Sequence, residues 1–167
     1  MKTLITYCTT HGCTETVARE LKQLLGQDVT LCNLKKEKAP DLSPFERIIV
    51  GGSIHAGQIQ KRIKTFCRLN TAELQTKELG LFICCMDEGE EARTHLNNAY
   101  PEELLKHAKA TACLGGEFNF QKMNFLEKFI VKKVAKIDHS TSKMDQQAIR
   151  KFSNRMDRIF NPFLFLA

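Results

Sequence analysis

Three short segments of this chain carry residue types suited to holding a ligand. The first is Thr9-Thr10-His11-Gly12-Cys13-Thr14, which follows an apolar run and leads straight into a helical pattern. Hydroxyls, a glycine that lets backbone approach closely, and the free N–H groups of a helix start together make a cradle for a phosphate. It has neither the Gly-Lys-Ser/Thr ending of a Walker loop nor a three-glycine dinucleotide fingerprint. A plain helix N-cap with polar neighbours is the alternative. The second segment, Gly51-Gly52-Ser53-Ile54-His55-Ala56-Gly57, has glycines at both ends around an apolar side chain and an imidazole. The third, Cys84-Cys85-Met86-Asp87-Glu88-Gly89, places a soft apolar residue before two acids. Either of these alone is an ordinary turn. Together on one edge of a sheet they would suit a phosphate at one end and a flat ring between the others.

The elements that must position them follow from periodicity. Short apolar runs at Thr3–Cys8, Val29–Cys32, Arg47–Val50, Leu79–Cys85 and Ala110–Phe118 read as strands, the fifth interrupted by Gly115-Gly116. Between them, Val17, Leu21, Leu24 and Leu25 have helical spacing before Gly26, and Ile63, Phe66 and Cys67 mark a short helix. Glu90–His107 is helical in composition but divided by Pro101. Two more helices are expected at about 125–137 and 145–160. Strands alternating with helices predict an α/β, three-layer doubly wound fold with a five-stranded parallel sheet, order 2-1-3-4-5. In such a sheet the loops after strands one, three and four share the carboxyl edge, where ligands bind. One domain is expected over 1–161, followed by an apolar tail at 162–167.

Composition bounds the function classes. The chain has 167 residues, 43% hydrophobic and 26% charged, enough for a substantial core and unlike a disordered chain. Lys plus Arg number 25 against 19 acids, a net charge of +6 spread without a polybasic block. That favours anionic ligands or surfaces without pointing to nucleic acid. The odd count of seven cysteines, two of them adjacent in an apolar run, reads as reduced thiols in a cytoplasmic protein. Cys8, Cys84, Cys85 and Cys113 are expected in the core and Cys13 more exposed. No run approaches the roughly 18 to 20 apolar residues of a membrane span. His95, His107 and His139 lack metal-ligand spacing, and no metal site is expected. Cys13 and Arg19 match the spacing of a phosphotyrosine phosphatase loop, but inside a helical pattern; strand one also lacks the acids of a receiver domain.

Taken with Met1-Lys2-Thr3-Leu4-Ile5, the cradle ending Gly12-Cys13-Thr14-Glu15 and Val50-Gly51-Gly52-Ser53-Ile54-His55-Ala56-Gly57, the chain resembles the flavodoxin-like flavoproteins. Within them it is most similar to the branch of menaquinone-dependent protoporphyrinogen oxidases. Gly115-Gly116 and the later Lys128–Ile137 segment add to that likeness. The resemblance implies FMN as cofactor. By position, Thr9, Thr10, His11, Gly12, Cys13 and Thr14 would surround its phosphate, with His11 where a hydroxyl or acid is more usual. Ser53, Ile54, His55, Ala56 and Gly57 would border one side of the isoalloxazine ring, and Cys85, Met86, Asp87 and Glu88 the other. Electron-carrier flavodoxins are typically acidic and often stack the flavin between Trp and Tyr. This chain is basic, has no Trp, and has neither Trp nor Tyr in the two ring-bordering loops.

The expectation is therefore an FMN-dependent oxidoreductase acting on protoporphyrinogen or a related reduced substrate, with a quinone as acceptor. No residue is identified as a catalytic acid or base. An electron-transfer module for a redox partner protein and a flavin-free interaction domain are the alternatives. In the 125–137 helix, Leu126, Ile130, Val134 and Ile137 form one stripe and Lys128, Lys132 and Lys136 recur on another face. A solvated cationic face over a core stripe is one reading. The other is contact with anionic lipid or porphyrin carboxylates, the apolar surface extended by Phe118, Phe120 and Phe125.

Overall fold

The structure, a computed structural model, describes residues 1–118, 121–134 and 139–157. Its first unit is β1 (Thr3–Cys8), α1 (Cys13–Leu25) and β2 (Val29–Asn33). Helix α1 forms because Val17, Ala18 and Leu21 fall on one face and are fully buried; Glu15 lies in its first turn, Lys22 in its last, and Gly26 closes it. β3 (Arg47–His55) and the two-residue β4 (Gln58–Ile59) lead to α2 (Lys61–Leu69) and α3 (Thr71–Leu74). β5 (Glu78–Cys84) is followed by α4 (Gly89–Ala99), α5 (Glu102–His107) and β6 (Ala110–Cys113). Pro101 divides α4 from α5, as its missing N–H requires.

The parallel strands run in the order β2-β1-β3-β5-β6, which is the expected 2-1-3-4-5 once the small β4 is set aside. Side chains alternate between two core layers. Leu4, Ile48, Val50, Leu79, Leu81 and Ile83 pack on one face with α2 and α4. Ile5, Ile49 and Phe82 pack on the other with α1 and α7 (Gln146–Asp157), through Leu21, Ile149 and Phe152. Period-two alternation with both sides apolar is what a doubly covered sheet demands.

Arg47 ties the lower end together. Its side chain, only 6% exposed, donates to the Met156 carbonyl at 2.6 Å, and pairs with Asp157 at 3.0 Å and Glu78 at 3.3 Å. The last turn of α7 is thereby fixed beneath β3 and β5.

Two strand boundaries differ from expectation. β3 does not stop at Val50 but continues through Gly51 and Gly52 to His55, then reverses through Ala56-Gly57 into β4, with Ile54 opposite Ile59 and His55 opposite Gln58. Positive φ at Ala56 (47°) and Gly57 (74°) gives a two-residue turn matched to strand twist. The glycines before it mark crowding, not a strand end: a Cβ on Gly51 would lie 2.0 Å from the Phe82 ring. The fifth strand likewise ends at Cys113. Beyond Gly115 the chain pairs as β7 (Glu117–Phe118) with β8 (Thr141–Ser142) in a separate antiparallel ribbon. Asp145 N–H donates to the Leu114 carbonyl and Lys143 N–H to that of Gly116, at 3.2 and 2.7 Å, so this ribbon takes over the hydrogen bonding of the strand.

Between β7 and β8 lies α6 (Phe125–Val134). The expected core stripe there is not buried where its side chains are described. Leu126 is 65% exposed, alongside Phe125 at 86% and Phe129 at 54%. Among the described residues, no α6 side chain belongs to either core layer, in keeping with that exposure. Lys128 is half-buried and Lys132 exposed. Phe120, Lys136, Ile137, the helix end at 158–160 and the tail 162–167 lie outside the described residues. Among the described residues, no helix is long and apolar enough to cross a membrane.

Candidate functional site

Parallel register brings the three loops to one edge. Cys8 is opposite Gly52, and Ser53 opposite Cys84, so the segments after them leave the sheet at one level. His11 and His55 meet edge to face, ring centroids 6.0 Å apart, joining the first loop to the second. His95, from α4, joins the second to the third. Its Nε2 is 3.0 Å from the Asp87 carboxylate, and its Cε1 would lie 3.7 Å from a Cβ on Gly57.

The first loop has the donors of an anion site. Gly12 adopts φ 103°, a backbone state that L side chains rarely take, and turns the chain into α1 with no side chain capping the helix. The N–H groups of Cys13, Thr14 and Glu15 open that helix, and such groups have no intrahelical carbonyl. Thr9, nearly buried, accepts the Gly12 N–H through Oγ1 at 3.0 Å, which shapes the turn. Thr10 is exposed and His11 half-buried. Thr14 is fully buried, with its Oγ1 near the Cys84 thiol, a weak sulfur partner, and with no oxygen or nitrogen partner.

A cation stands over this loop. Lys122, from the turn between β7 and α6, puts Nζ 2.9 Å from where a Cβ on Gly12 would be. The Glu15 carboxyl is held below its ordinary range, chiefly by its hydrogen bond to Arg19 and further by Lys36 and Lys122. Lys122 has no signal in periodicity or motif, because only the β7–β8 excursion returns it to the edge.

Cys13 is buried, not exposed as expected, because α1 begins there and turns it into the core. Its thiol pKa is lowered, foremost by a hydrogen bond from Cys84. In the second loop Ser53 and Ile54 are half-buried and His55 and Ala56 exposed. Gln60 accepts the Ser53 N–H at 3.0 Å, and Ser53 Oγ lies 3.0 Å from His55 Nε2. In the third, Cys85 is buried, Met86 half-buried, and Asp87 and Glu88 exposed; Lys143 pairs with Glu88 at 2.8 Å and lowers its pKa. A cavity of about 680 Å³ lies between this loop, α4 and the end of β6, lined among others by Cys85, Met86, Ala92 and Cys113. All fifteen site residues expected from sequence thus lie in the converging loops. His95, Gln60 and Lys122 join them, the first two as supports that only the hairpin and α4 bring near. Among the described residues no His, Cys, Asp and Glu cluster could hold a metal ion.

The donor set fits a flavin mononucleotide phosphate. An uncapped helix start and an ammonium above a glycine are what a dianion complements. Beyond them, the half-buried Ile54 and Met86 offer apolar contacts for a ring.

Comparison with known proteins gives a consistent picture. The profile of the family described as Flavodoxin domain matches residues 4–145. The protoporphyrinogen IX dehydrogenase [quinone] of Escherichia coli strain K12 is 23% identical over 146 residues, 82% of this chain and 80% of that protein. Among solved structures, the two-electron reduced flavodoxin of Megasphaera elsdenii superposes with a TM-score of 0.55 at 15% identity, covering 92% of this chain and 97% of the other. Oxidised flavodoxin 1 from Bacillus cereus gives 0.53 at 11% identity, covering 93% and 97%.

Proposed function

The chain belongs to the flavodoxin domain family, and from that premise we propose that it is an FMN-dependent oxidoreductase taking electrons from protoporphyrinogen or a related reduced substrate and delivering them to a quinone. The observation that carries this reading is the character of the ring-bordering loops. Neither contains a Trp, Tyr or Phe to sandwich a ring: Tyr7 and Tyr100 are both buried in the core, and Trp is absent from the chain. Instead the loops present Ile54, His55, Met86 and Asp87, which leave a ring open to a second molecule. The identity shared with the quinone-linked E. coli dehydrogenase supports the same substrate class.

Bound at this edge, FMN supplies the gain and loss of electrons; the chain supplies binding, orientation and field. Thr9, Thr10, His11, Gly12, Cys13 and Thr14 would hold the phosphate, with the α1 N–H groups and the Lys122 ammonium opposing its charge. Ser53 to Gly57 would border one side of the ring, on a hairpin held by the Ser53 to Gln60 hydrogen bond. Cys85 to Glu88 would border the other, with Asp87 anchored by His95. His55 is exposed beside Ser53 and is positioned to meet an acidic porphyrin at the rim.

The basic α6 region completes the proposal. Lys128 and Lys132, on the helix that exposes Phe125, Leu126 and Phe129, together with Lys136 further along the sequence, would draw the protein to an anionic membrane surface where quinone resides. The test is an anaerobic assay of the FMN-loaded protein with protoporphyrinogen and a menaquinone analogue. The reading expects porphyrin formation coupled to quinone reduction over many turnovers. Reduction of the flavin by a redox protein, with no porphyrin formed, would instead support an electron-transfer module.

A further inference from the structure

Outside the phosphate cradle, one pair of side chains combines contact, access and asymmetric chemistry. β5 and β6 run parallel with Ile83 opposite Cys113, so Cys85, two residues further on, lies diagonally across from Cys113 where both strands leave the sheet. The Cys85 N–H donates to the Gly115 carbonyl at 3.1 Å, holding the two chain segments together past the last ladder bond. The two Sγ atoms are 3.1 Å apart. The sulfurs are already in contact and have to close by about 1 Å to reach the ~2.05 Å length of a disulfide.

Access distinguishes this pair from the other cysteines. Both residues line the cavity of about 680 Å³ beside α4; Cys113 is partly exposed, and the other six cysteines, Cys85 among them, are buried. The chemistry of the two thiols is also unequal. The two thiols share a hydrogen bond that either sulfur can donate; that bond, with the Gly115 N–H, lowers the Cys113 pKa to about 6 against the cost of burial and, less, the charge of Asp87. That shared hydrogen bond and burial push the Cys85 thiol up, so Cys85 keeps the proton. A thiolate at the accessible position with a protonated thiol in contact is the arrangement of an attacking and a resolving cysteine.

We propose that Cys85 and Cys113 are an oxidisable dithiol whose co-substrate is a small peroxide and whose product, a disulfide, ties the Cys85–Glu88 loop to the end of β6. In the first step the Cys113 thiolate attacks hydrogen peroxide. A sulfur–oxygen bond forms, the oxygen–oxygen bond breaks, and the departing hydroxide takes a proton to leave as water. In the second step Cys85 sulfur attacks the sulfenic acid at Cys113. The sulfur–sulfur bond forms, the sulfur–oxygen bond breaks, and the hydroxyl leaves as a second water with the Cys85 proton. Two thiols are oxidised by two electrons and one peroxide is reduced. Neither step requires flavin, so the dithiol stands or falls separately from FMN binding.

The experiment treats the full chain with hydrogen peroxide at a few equivalents, removes excess with catalase, alkylates in denaturant and maps tryptic peptides by mass spectrometry. The expected result is loss of two free thiols per chain and a covalent link between peptides Glu78–Arg93 and Ala110–Lys122. That link should persist in Cys84→Ser and vanish in Cys113→Ser, and a sulfenic-acid trap should label Cys113 in Cys85→Ser. A wild-type map with Cys113 fully alkylated or over-oxidised, a link through Cys84 or Cys13, or links only between chains would each overturn the proposal. Should Cys85→Ser fail to fold, the wild-type map and Cys113→Ser still decide it.

Discussion

Replacing Lys122 with Gln removes the ammonium that stands over the Gly12 turn while keeping a side chain of similar reach. Its Nζ lies 2.9 Å from where a Cβ on Gly12 would be, within hydrogen-bonding range of a group seated in that turn. A hydrogen bond to a charged group contributes about 1.5–3 kcal/mol. Lys122 is exposed, so solvent screening brings the expected contribution to about 1 kcal/mol, or a roughly fivefold weaker affinity for FMN. Riboflavin has no phosphate and should bind wild type and variant equally. The effect is electrostatic. It should be largest near 0.01 M salt and shrink toward about 1 M, where the Debye length falls from about 30 to about 3 Å. Flavin fluorescence titrations with both ligands at both ionic strengths measure all four affinities. Equal weakening for riboflavin, or an unchanged FMN affinity at low salt, would refute the placement of the phosphate beneath Lys122.

Arg47→Ala should destabilise the fold by about 2 kcal/mol, since it removes a buried guanidinium from Glu78, Asp157 and the Met156 carbonyl while Lys109 still holds Glu78 and Met156; a urea midpoint unchanged from wild type would contradict this. The Cys113 thiol, with its pKa lowered to about 6, should alkylate with a rate that rises through pH 6 and is nearly flat above pH 7. An ordinary thiol instead gains rate through about pH 8.5. Mapping the modified peptide against pH distinguishes the two. Lys128→Gln with Lys132→Gln and Lys136→Gln should weaken salt-sensitive sedimentation with anionic vesicles by about 100-fold, at about 1 kcal/mol per lysine. Vesicle binding unaltered by the triple change would assign that face to solvent alone.

The strands and their order were legible because a doubly covered parallel sheet writes itself as short, continuous apolar runs separated by helical periods. Leu4, Ile48, Leu81 and their neighbours alternate between the two core layers as that pattern demands. The loop residues were legible too, because a parallel sheet sends the chain out of successive strands on one edge. Glycines misled where their cause was packing. Gly51 faces the Phe82 ring inside a strand that continues, and Gly115 is pressed against the Lys143 carbonyl where β7 and β8 take over. His95 and Lys122 could not be read at all. Each reaches the site from a distant element, and its type and spacing are those of any surface residue. The exposure of Leu126 was hidden for a related reason: a helical stripe shows which side chains share a face, not whether anything covers it.

The central claim is that only the folded chain assembles an FMN site, from three loops far apart in sequence. A ligand that binds the folded state alone stabilises it by about 2.7 kcal/mol at a free concentration 100-fold above its dissociation constant. For a domain of this length that corresponds to a rise of roughly 5 to 10 °C in melting temperature. Thermal unfolding of verified flavin-free protein, with and without saturating FMN, measures it directly. The account predicts that rise; a melting temperature unmoved by excess FMN would contradict it.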